Sequence, residues 1–241
     1  MDRKVHEKEH GERIAAQAES VWGWSTPAGQ QRARRRADLL IKHGQVGPGR
    51  AVLEIGCGTG LFSRYLSETG AKMVVSDLSW DLIDQVETGD NTVIRLVLSD
   101  AERLPFPSGV FDAVVGSSIL HHLAPEVALA EGFRVLCPGG SIAFAEPNML
   151  NPQIAIQKNI PPIKRWLGDS PDERAFFRWQ AVRLLQSAGF EQVSATPHDF
   201  LHPLTPTRLI LLVKAVGRLF EKLPLVREIA GSLIIVGRKP D

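Results

Sequence analysis

The stretch Val52-Leu53-Glu54-Ile55-Gly56-Cys57-Gly58-Thr59-Gly60 constrains this chain more than any other. Residues 51–55 are a short apolar run and read as a buried parallel strand. Three alternate glycines follow directly, and a helix is predicted over 61–68. Glycine is needed where the backbone takes positive φ or lies against a ligand. In a parallel sheet such a loop sits at the carboxyl ends of the strands, beside a helix N-terminus. A dinucleotide site would show G-x-G-x-x-G, but its third glycine position here is Leu61, so the spacing is G-x-G-x-G. A plain tight turn between strand and helix explains the glycines without any ligand.

Strand and helix signals alternate on either side. Residues 72–76, 92–98, 111–116 and 141–146 read as strands, with helices at 79–86 behind a Ser79 cap and at 125–136, stopped by Pro138-Gly139-Gly140. Downstream of a polar lead-in over 1–20, Thr26 and Pro27 open a helix that Gly44 ends. This repetition implies a parallel α/β sheet with helices on both faces. After residue 146 the pattern breaks. Ser170-Pro171-Asp172-Glu173 has the form of a capping box and predicts a helix reaching Ala188 and ended by Gly189. Strands at 191–195 and 232–237 follow, with a second helical insertion between them.

With 241 residues, 44% of them hydrophobic, the chain can bury one sizeable core, and a single domain over 1–241 is expected. The formal net charge of +1 offers no extended field for nucleic acid. Cys57 and Cys137 have no CxxC partner, so neither a zinc site nor a disulfide framework is expected. Residues 1–10 are charged rather than apolar, and no apolar run is long enough to span a bilayer. A cytoplasmic location is the expectation, with oligomeric state left open.

Two carboxylates fall where a nucleoside would need them. Asp77 ends the second strand, where it can accept both ribose hydroxyls. Asp100, with Ala101 and Glu102, follows the third, where it can take an adenine amine. Either acid alone reads equally well as a helix cap or a solvated loop charge.

These residues together resemble the class I S-adenosylmethionine-dependent methyltransferases, in the small-molecule branch that includes ubiquinone and menaquinone biosynthesis enzymes. Glu54, Gly56, Cys57, Gly58 and Gly60 look like the first motif of that family, and Asp77 and Leu78 like its ribose motif. Asp100, Ala101 and Glu102 look like the adenine loop. Phe111-Asp112-Ala113-Val114-Val115 through His121-His122-Leu123 resembles the fourth strand and its exit, and Leu136-Cys137-Pro138-Gly139-Gly140-Ser141 the turn into the fifth. The resemblance covers 51–146 and implies a Rossmann-like, seven-stranded, mostly parallel sheet whose last strand is antiparallel. It also implies S-adenosyl-L-methionine as cofactor and S-adenosyl-L-homocysteine as product, with Ser117 lining the methionine end.

On this reading residues 1–44 form a helical lid, 45–146 the cofactor-binding core, and 147–172 and 197–228 substrate-side insertions. His121 and His122 are the candidate general bases, since histidine titrates near neutrality. Trp22, Trp24, Glu146 and Asn148 are candidate substrate contacts, and no metal site is expected. Lys214, Arg218 and Lys222 recur every four residues on a predicted apolar helix over 206–223, so they share a stripe. Such a helix suits an ordinary lid or the surface of an anionic membrane, and the acceptor is accordingly a small molecule or a lipid-linked one. Arg32, Arg34, Arg35 and Arg36 form a second basic run, suited to a lid, to gripping an anionic group, or to a solvated helix face.

DNA is disfavoured. The position after the fourth strand reads Gly116-Ser117-Ser118-Ile119 rather than Asn/Asp-Pro-Pro-aromatic, and Pro161-Pro162 lies elsewhere. RNA methylation, a nicotinamide-dependent oxidoreductase and a non-catalytic binding module remain as alternatives.

Overall fold

The apolar runs become strands because they are buried between two helical layers. The computed structural model describes residues 3–88, 94–166 and 173–241. Its strands are β1 (Ala51–Ile55), β2 (Lys72–Asp77), β3 (Ile94–Leu98), β4 (Phe111–Ser117), β5 (Leu136–Pro147), β6 (Glu191–His198) and β7 (Ser232–Arg238). They form one sheet in the order β3-β2-β1-β4-β5-β7-β6. β1 to β5 are parallel, and β7 runs antiparallel to both neighbours, as expected. The helices are α1 (Arg3–Ile14), α2 (Ala18–Val21), α3 (Pro27–Gly44), α4 (Leu61–Ser67), α5 (Trp80–Ile83), α6 (Pro125–Val135), α7 (Pro152–Asn159), α8 (Pro161–Trp166), α9 (Arg178–Ser187) and α10 (Ile210–Phe220).

Alternate side chains of each strand enter opposite layers. Leu53, Ile55, Val114, Ile142, Phe144, Leu233 and Ile235 pack with Ala128 and Leu129 of α6 and Ala181 and Leu185 of α9. Val52, Val75, Ala113, Val115, Ala143 and Ile234 pack with Ala33, Ala37 and Leu40 of α3, Phe62 and Leu66 of α4 and Ile83 of α5. The strand order reverses at β1, between β2 and β4, so the glycine loop after β1 opens into the crevice there.

Several boundaries move, each for a physical reason. Thr26 caps α3 by accepting from the Gly29 N–H at 2.9 Å, as predicted, but α3 ends on Gln45 at φ 52° rather than at Gly44. Gly44 serves instead as a close-approach point inside the helix, since a β-carbon there would lie 2.8 Å from Val115 Cγ1. The helix after Ser79 is only one turn long, and Thr92 and Val93 of the predicted third strand lie outside the described residues. Pro138-Gly139-Gly140 does not precede the fifth strand. It sits within it, at a register shift opposite Phe111 and Ala113.

Ser170, Pro171 and Asp172 of the capping-box expectation lie outside the described residues; the helix predicted to run on from them is absent over 173–177, and α9 begins only at Arg178. Phe176 instead pairs with the end of β5, donating to Pro147 O at 3.1 Å and accepting from Met149 N at 2.9 Å. This tertiary pairing holds the segment extended and frees Glu173 to reach elsewhere. The second insertion also starts late. Pro206 has extended ψ, a single 3-10 turn covers Thr207–Leu209, and α10 follows without a side-chain cap from Thr205.

Candidate active site

The loops after β1, β2, β3 and β4 surround a cavity of about 400 Å³, within the range usual for small-molecule sites. Gly56, Cys57 and Gly58 form one wall, Ser76, Asp77 and Leu78 the next, and Asp100, Ala101 and Glu102 the third. The glycine loop is bound to β2 through Asp77. Its Oδ2 accepts from Gly58 N at 2.9 Å and its Oδ1 from Ser79 N at 3.0 Å. Burial raises the Asp77 pKa, against the pull of these backbone donors. Burial likewise pushes the Cys57 thiol up, so it is no nucleophile at neutral pH.

The N-terminal helix closes over the third wall. Lys4 Nζ contacts Asp100 Oδ2 at 2.5 Å and Glu102 at 3.0 Å, and Arg3 bonds Glu102 and the His122 carbonyl. Glu102 also accepts from Ala124 N at 2.6 Å. Burial works to raise its pKa, but these donors outweigh burial and hold it below the usual value. Trp22 lies against Gly58, where an added β-carbon would meet its ring at 3.0 Å. Trp24 is buried, with the Arg32 and Arg36 guanidinium carbons 5.4 and 5.0 Å from its ring centroid. Both tryptophans line the cavity.

At the β4 exit the two histidines are pushed in opposite directions. His121 is buried, and its Nδ1 lies 2.6 Å from Glu146 Oε2. Glu146 is fully buried and also accepts from Ile119 N at 3.0 Å and Leu120 N at 2.8 Å. Burial works to raise the Glu146 pKa, but His121 and the two amides hold it below the usual carboxylate range. Burial, then His122, lowers the His121 pKa despite Glu146. An ionised carboxylate only accepts, so Nδ1 carries the proton and Nε2 is left with its lone pair. Burial also opposes charge on His122, but Glu7 at 2.8 Å and Glu173 outweigh it and raise its pKa. The pair is therefore pushed apart, His121 toward the neutral imidazole and His122 toward the charged one, the direction of separation that distinguishes base from cation in acid–base sites.

Glu173 completes this end of the cavity. Its Oε2 lies 4.0 Å from His121 Nε2, its Oε1 3.9 Å from His122 Nδ1, and Lys158 forms an ion pair with it. Burial opposes ionisation, but His122, Lys158 and His121 bring its pKa down to about 2. His121, His122 and Glu173 offer ligand atoms within 4.8 Å of one another. The Lys158 ammonium already occupies the carboxylate, so this donor set is charge-balanced without an ion.

Three sequence candidates take other roles. Glu54 lies beneath the glycine loop rather than on the cavity wall, accepting from Ser63 Oγ of α4 at 2.6 Å, and burial raises its pKa to about 8. It fixes the helix that follows the loop. Glu146 does not face the mouth; it sits under His121. Asn148 is fully buried, donates to the Glu228 and Ala230 carbonyls at 2.8 Å each and accepts from Leu150 N. It ties the loop before β7 to the end of β5 and makes no cavity wall. Conversely, the parts played by Glu7, Lys158 and Glu173 had no local signal, because each is defined by partners far along the chain; of the basic run, it is Arg32 and Arg36 that line the cavity.

Leu61, where a dinucleotide pattern needs glycine, lines the cavity as the first residue of α4. The charged groups on its walls include two carboxylates, Asp77 and Asp100, and the guanidinium of Arg36.

Comparison with known proteins agrees. Residues 53–144 match the family model of a methyltransferase domain. The demethylmenaquinone methyltransferase of Corynebacterium urealyticum is 36% identical over 118 residues, covering 48% of this chain and 47% of that protein. The malonyl-[acyl-carrier protein] O-methyltransferase of Herminiimonas arsenicoxydans is 32% identical over 187 residues, covering 75% and 65%. The chain spans about half the length of the demethylmenaquinone methyltransferases it matches. In structure it resembles an S-adenosylmethionine-dependent methyltransferase from Thermotoga maritima, described as a possible histamine N-methyltransferase, with a TM-score of 0.65 at 18% identity over 95% of this chain and 99% of that one. By its matched domain, its sheet order and its cavity, the chain carries a class I S-adenosylmethionine-dependent methyltransferase domain over residues 53–144, on a Rossmann-like sheet.

Proposed function

We propose that this protein transfers a methyl group from S-adenosylmethionine to a small-molecule or lipid-linked acceptor, with His121 as the general base. The observation that carries this reading is the buried His121–Glu146 pair on the wall of the nucleoside cavity. Bound S-adenosylmethionine supplies a methyl group already activated by its sulfonium. The chain's own work is to hold the ribose with Asp77, exclude water under α1 and Trp22, and orient the acceptor. His121 Nε2 then takes the acceptor's proton while Glu146 stabilises the imidazolium that results. Asp100 and Glu102 hold the N-terminal helix as a lid through Lys4 and Arg3, so ligand entry requires those ion pairs to part. No divalent ion is required, because Lys158 already neutralises Glu173; dialysis against EDTA is expected to leave turnover intact.

The acceptor class draws support from the relatives, whose names specify demethylmenaquinone and malonyl-[acyl-carrier protein]. A second feature favours the lipid-linked alternative. α10 and its flanks leave large apolar side chains in water, among them Leu211 at 77% and Leu225 at 88% exposure, with Leu212, Leu219 and Leu223. Arg208, Arg218 and Lys222 are exposed beside them, whereas Lys214 turns inward to Gln31 of α3 at 2.5 Å. Apolar side chains ringed by cations suit an anionic bilayer surface. No helix among the described residues is long and apolar enough to cross a membrane.

The test is transfer from methyl-labelled S-adenosylmethionine in an extract of the source cells, with Asp77→Ala as the control. Asp77-dependent label in the organic phase, with sedimentation on vesicles containing phosphatidylglycerol, is the expected result for the lipid-linked acceptor. Label confined to the aqueous phase returns α10 to a lid. No Asp77-dependent label in either phase overturns the proposed transfer.

A further inference from the structure

His121 lies between two carboxylates. Glu146 holds its Nδ1 from beneath, and Glu173 Oε2 lies 4.0 Å from its Nε2. That second distance is too long for a hydrogen bond, so the Nε2 lone pair stays open to an acceptor. It is short enough for one charge to act on another. Glu173 is 7% exposed and lines the cavity. Its place is fixed from three directions. Lys158 of α7 forms an ion pair with its carboxylate, Lys164 of α8 donates to its carbonyl at 2.8 Å, and Phe176, further along the segment, pairs with the β5 exit. Glu173 and Lys158 both belong to the chain after β5, outside the loops that form the three nucleoside walls.

The other charged or titratable groups around the His121 ring come from its own turn and from α1. His122 packs beside it with the ring centroids 4.1 Å apart. From α1, Glu7 reaches His122 Nδ1 at 2.8 Å, Arg3 bonds the His122 carbonyl, and His10 lines the same cavity. These groups act on His121 mainly through His122, whereas Glu173 faces Nε2 itself.

We propose that Glu173 is a positioning residue for the methyl transfer, a second carboxylate that stabilises the His121 imidazolium from the acceptor side, and that Lys158 limits how strongly it does so. The inference rests on His121 being the general base. As the acceptor attacks the methyl carbon, its proton passes to Nε2, and the electron pair of the breaking C–S bond stays on sulfur. The new positive charge then lies between Glu146 at Nδ1 and Glu173 at Nε2. An opposite charge at this range favours the ionised form, so Glu173 makes His121 a stronger base and Lys158 offsets it. Because both residues come from outside the cofactor loops, the base reaches its full strength only with the segments after β5 docked.

Nitrogen NMR titration of the histidines in the S-adenosylhomocysteine complex tests this without the acceptor. It reads the tautomer and the titration midpoint of His121, and His121→Gln identifies the signals. In wild type the neutral ring is expected to carry its proton on Nδ1. In Glu173→Gln the midpoint should fall by about one pH unit, and in Lys158→Met it should rise by a similar amount, since an anion and a cation at one place act with opposite sign. Bound S-adenosylhomocysteine reports that each variant is folded. A merely structural brace would leave the midpoint where it is. Midpoints unmoved in both variants, or moved in the same direction, overturn the proposal; should either variant fail to fold, an unmoved midpoint in the other does so alone. A wild-type ring protonated on Nε2 overturns the base assignment beneath it as well.

Discussion

His121→Gln should bind S-adenosylhomocysteine as the wild type does and turn over roughly 10²–10⁴-fold more slowly, the usual worth of a positioned general base. Glutamine fills much of the same space but takes no proton at neutral pH. The pH profile carries the sharper information. Burial lowers the His121 pKa, so wild-type activity should hold through neutral pH and fall on the acid side of the ordinary histidine value of about 6.5. Glu146→Gln tests the orientation. The amide oxygen can still accept from Ile119 and Leu120, leaving the amide nitrogen to face His121 Nδ1, 2.6 Å from the present oxygen. Nδ1 must then accept and Nε2 carry the proton, which removes the lone pair from the cavity side. Turnover should fall nearly as far as in His121→Gln, and the remaining acid limb should move to lower pH because the carboxylate no longer favours the imidazolium. A merely structural Glu146 would not shift that limb. Full turnover in His121→Gln, or an unmoved limb in Glu146→Gln, sinks the assignment.

Gly56→Val should abolish measurable S-adenosylhomocysteine binding and lower the melting temperature. Two effects add. Gly56 has φ 66°, a left-handed conformation that costs a β-branched residue on the order of 1–3 kcal/mol. A β-carbon there would also lie 2.3 Å from Ile119 Cγ1, so the loop or Ile119 must move. Ile119 N is one of the amides on Glu146, and His121 is two residues on, so the shift reaches the base as well as the nucleoside. Gly109→Ala is the matched control. It has φ 71° with nothing within 4 Å of an added β-carbon, so it carries the backbone strain without the clash. Its expected cost is about 1 kcal/mol, with binding intact. Calorimetry and thermal melts on both variants decide. Wild-type affinity in Gly56→Val would mean that the loop does not approach the ligand.

The residues that announced the fold are local in their reach. An apolar strand running into Gly56, Gly58 and Gly60 admits few backbone solutions, since positive φ at all three positions excludes side chains, and Asp77 at the end of the next strand meets that loop wherever the strands are parallel neighbours. Period-two burial on both faces then dictates a covered parallel sheet. Local signals misled where a distant partner competed. The helix predicted through 173–177 gave way to pairing between Phe176 and the β5 exit, and the stripe of Lys214, Arg218 and Lys222 was divided when α3 took Lys214.

By itself, then, the sequence determined the sheet, the cofactor loop and the class of chemistry, because each follows from spacing within a few consecutive residues. The tertiary structure alone decided how the side chains around the cavity are paired and buried. Glu146 became the partner of His121 rather than a substrate contact, Asn148 a backbone brace, and Arg36 a buried guanidinium held by Ser117, Ser118 and Ser232. Protonation, burial and pairing depend on neighbours 25 to 196 residues away in the chain, and no local pattern encodes those distances.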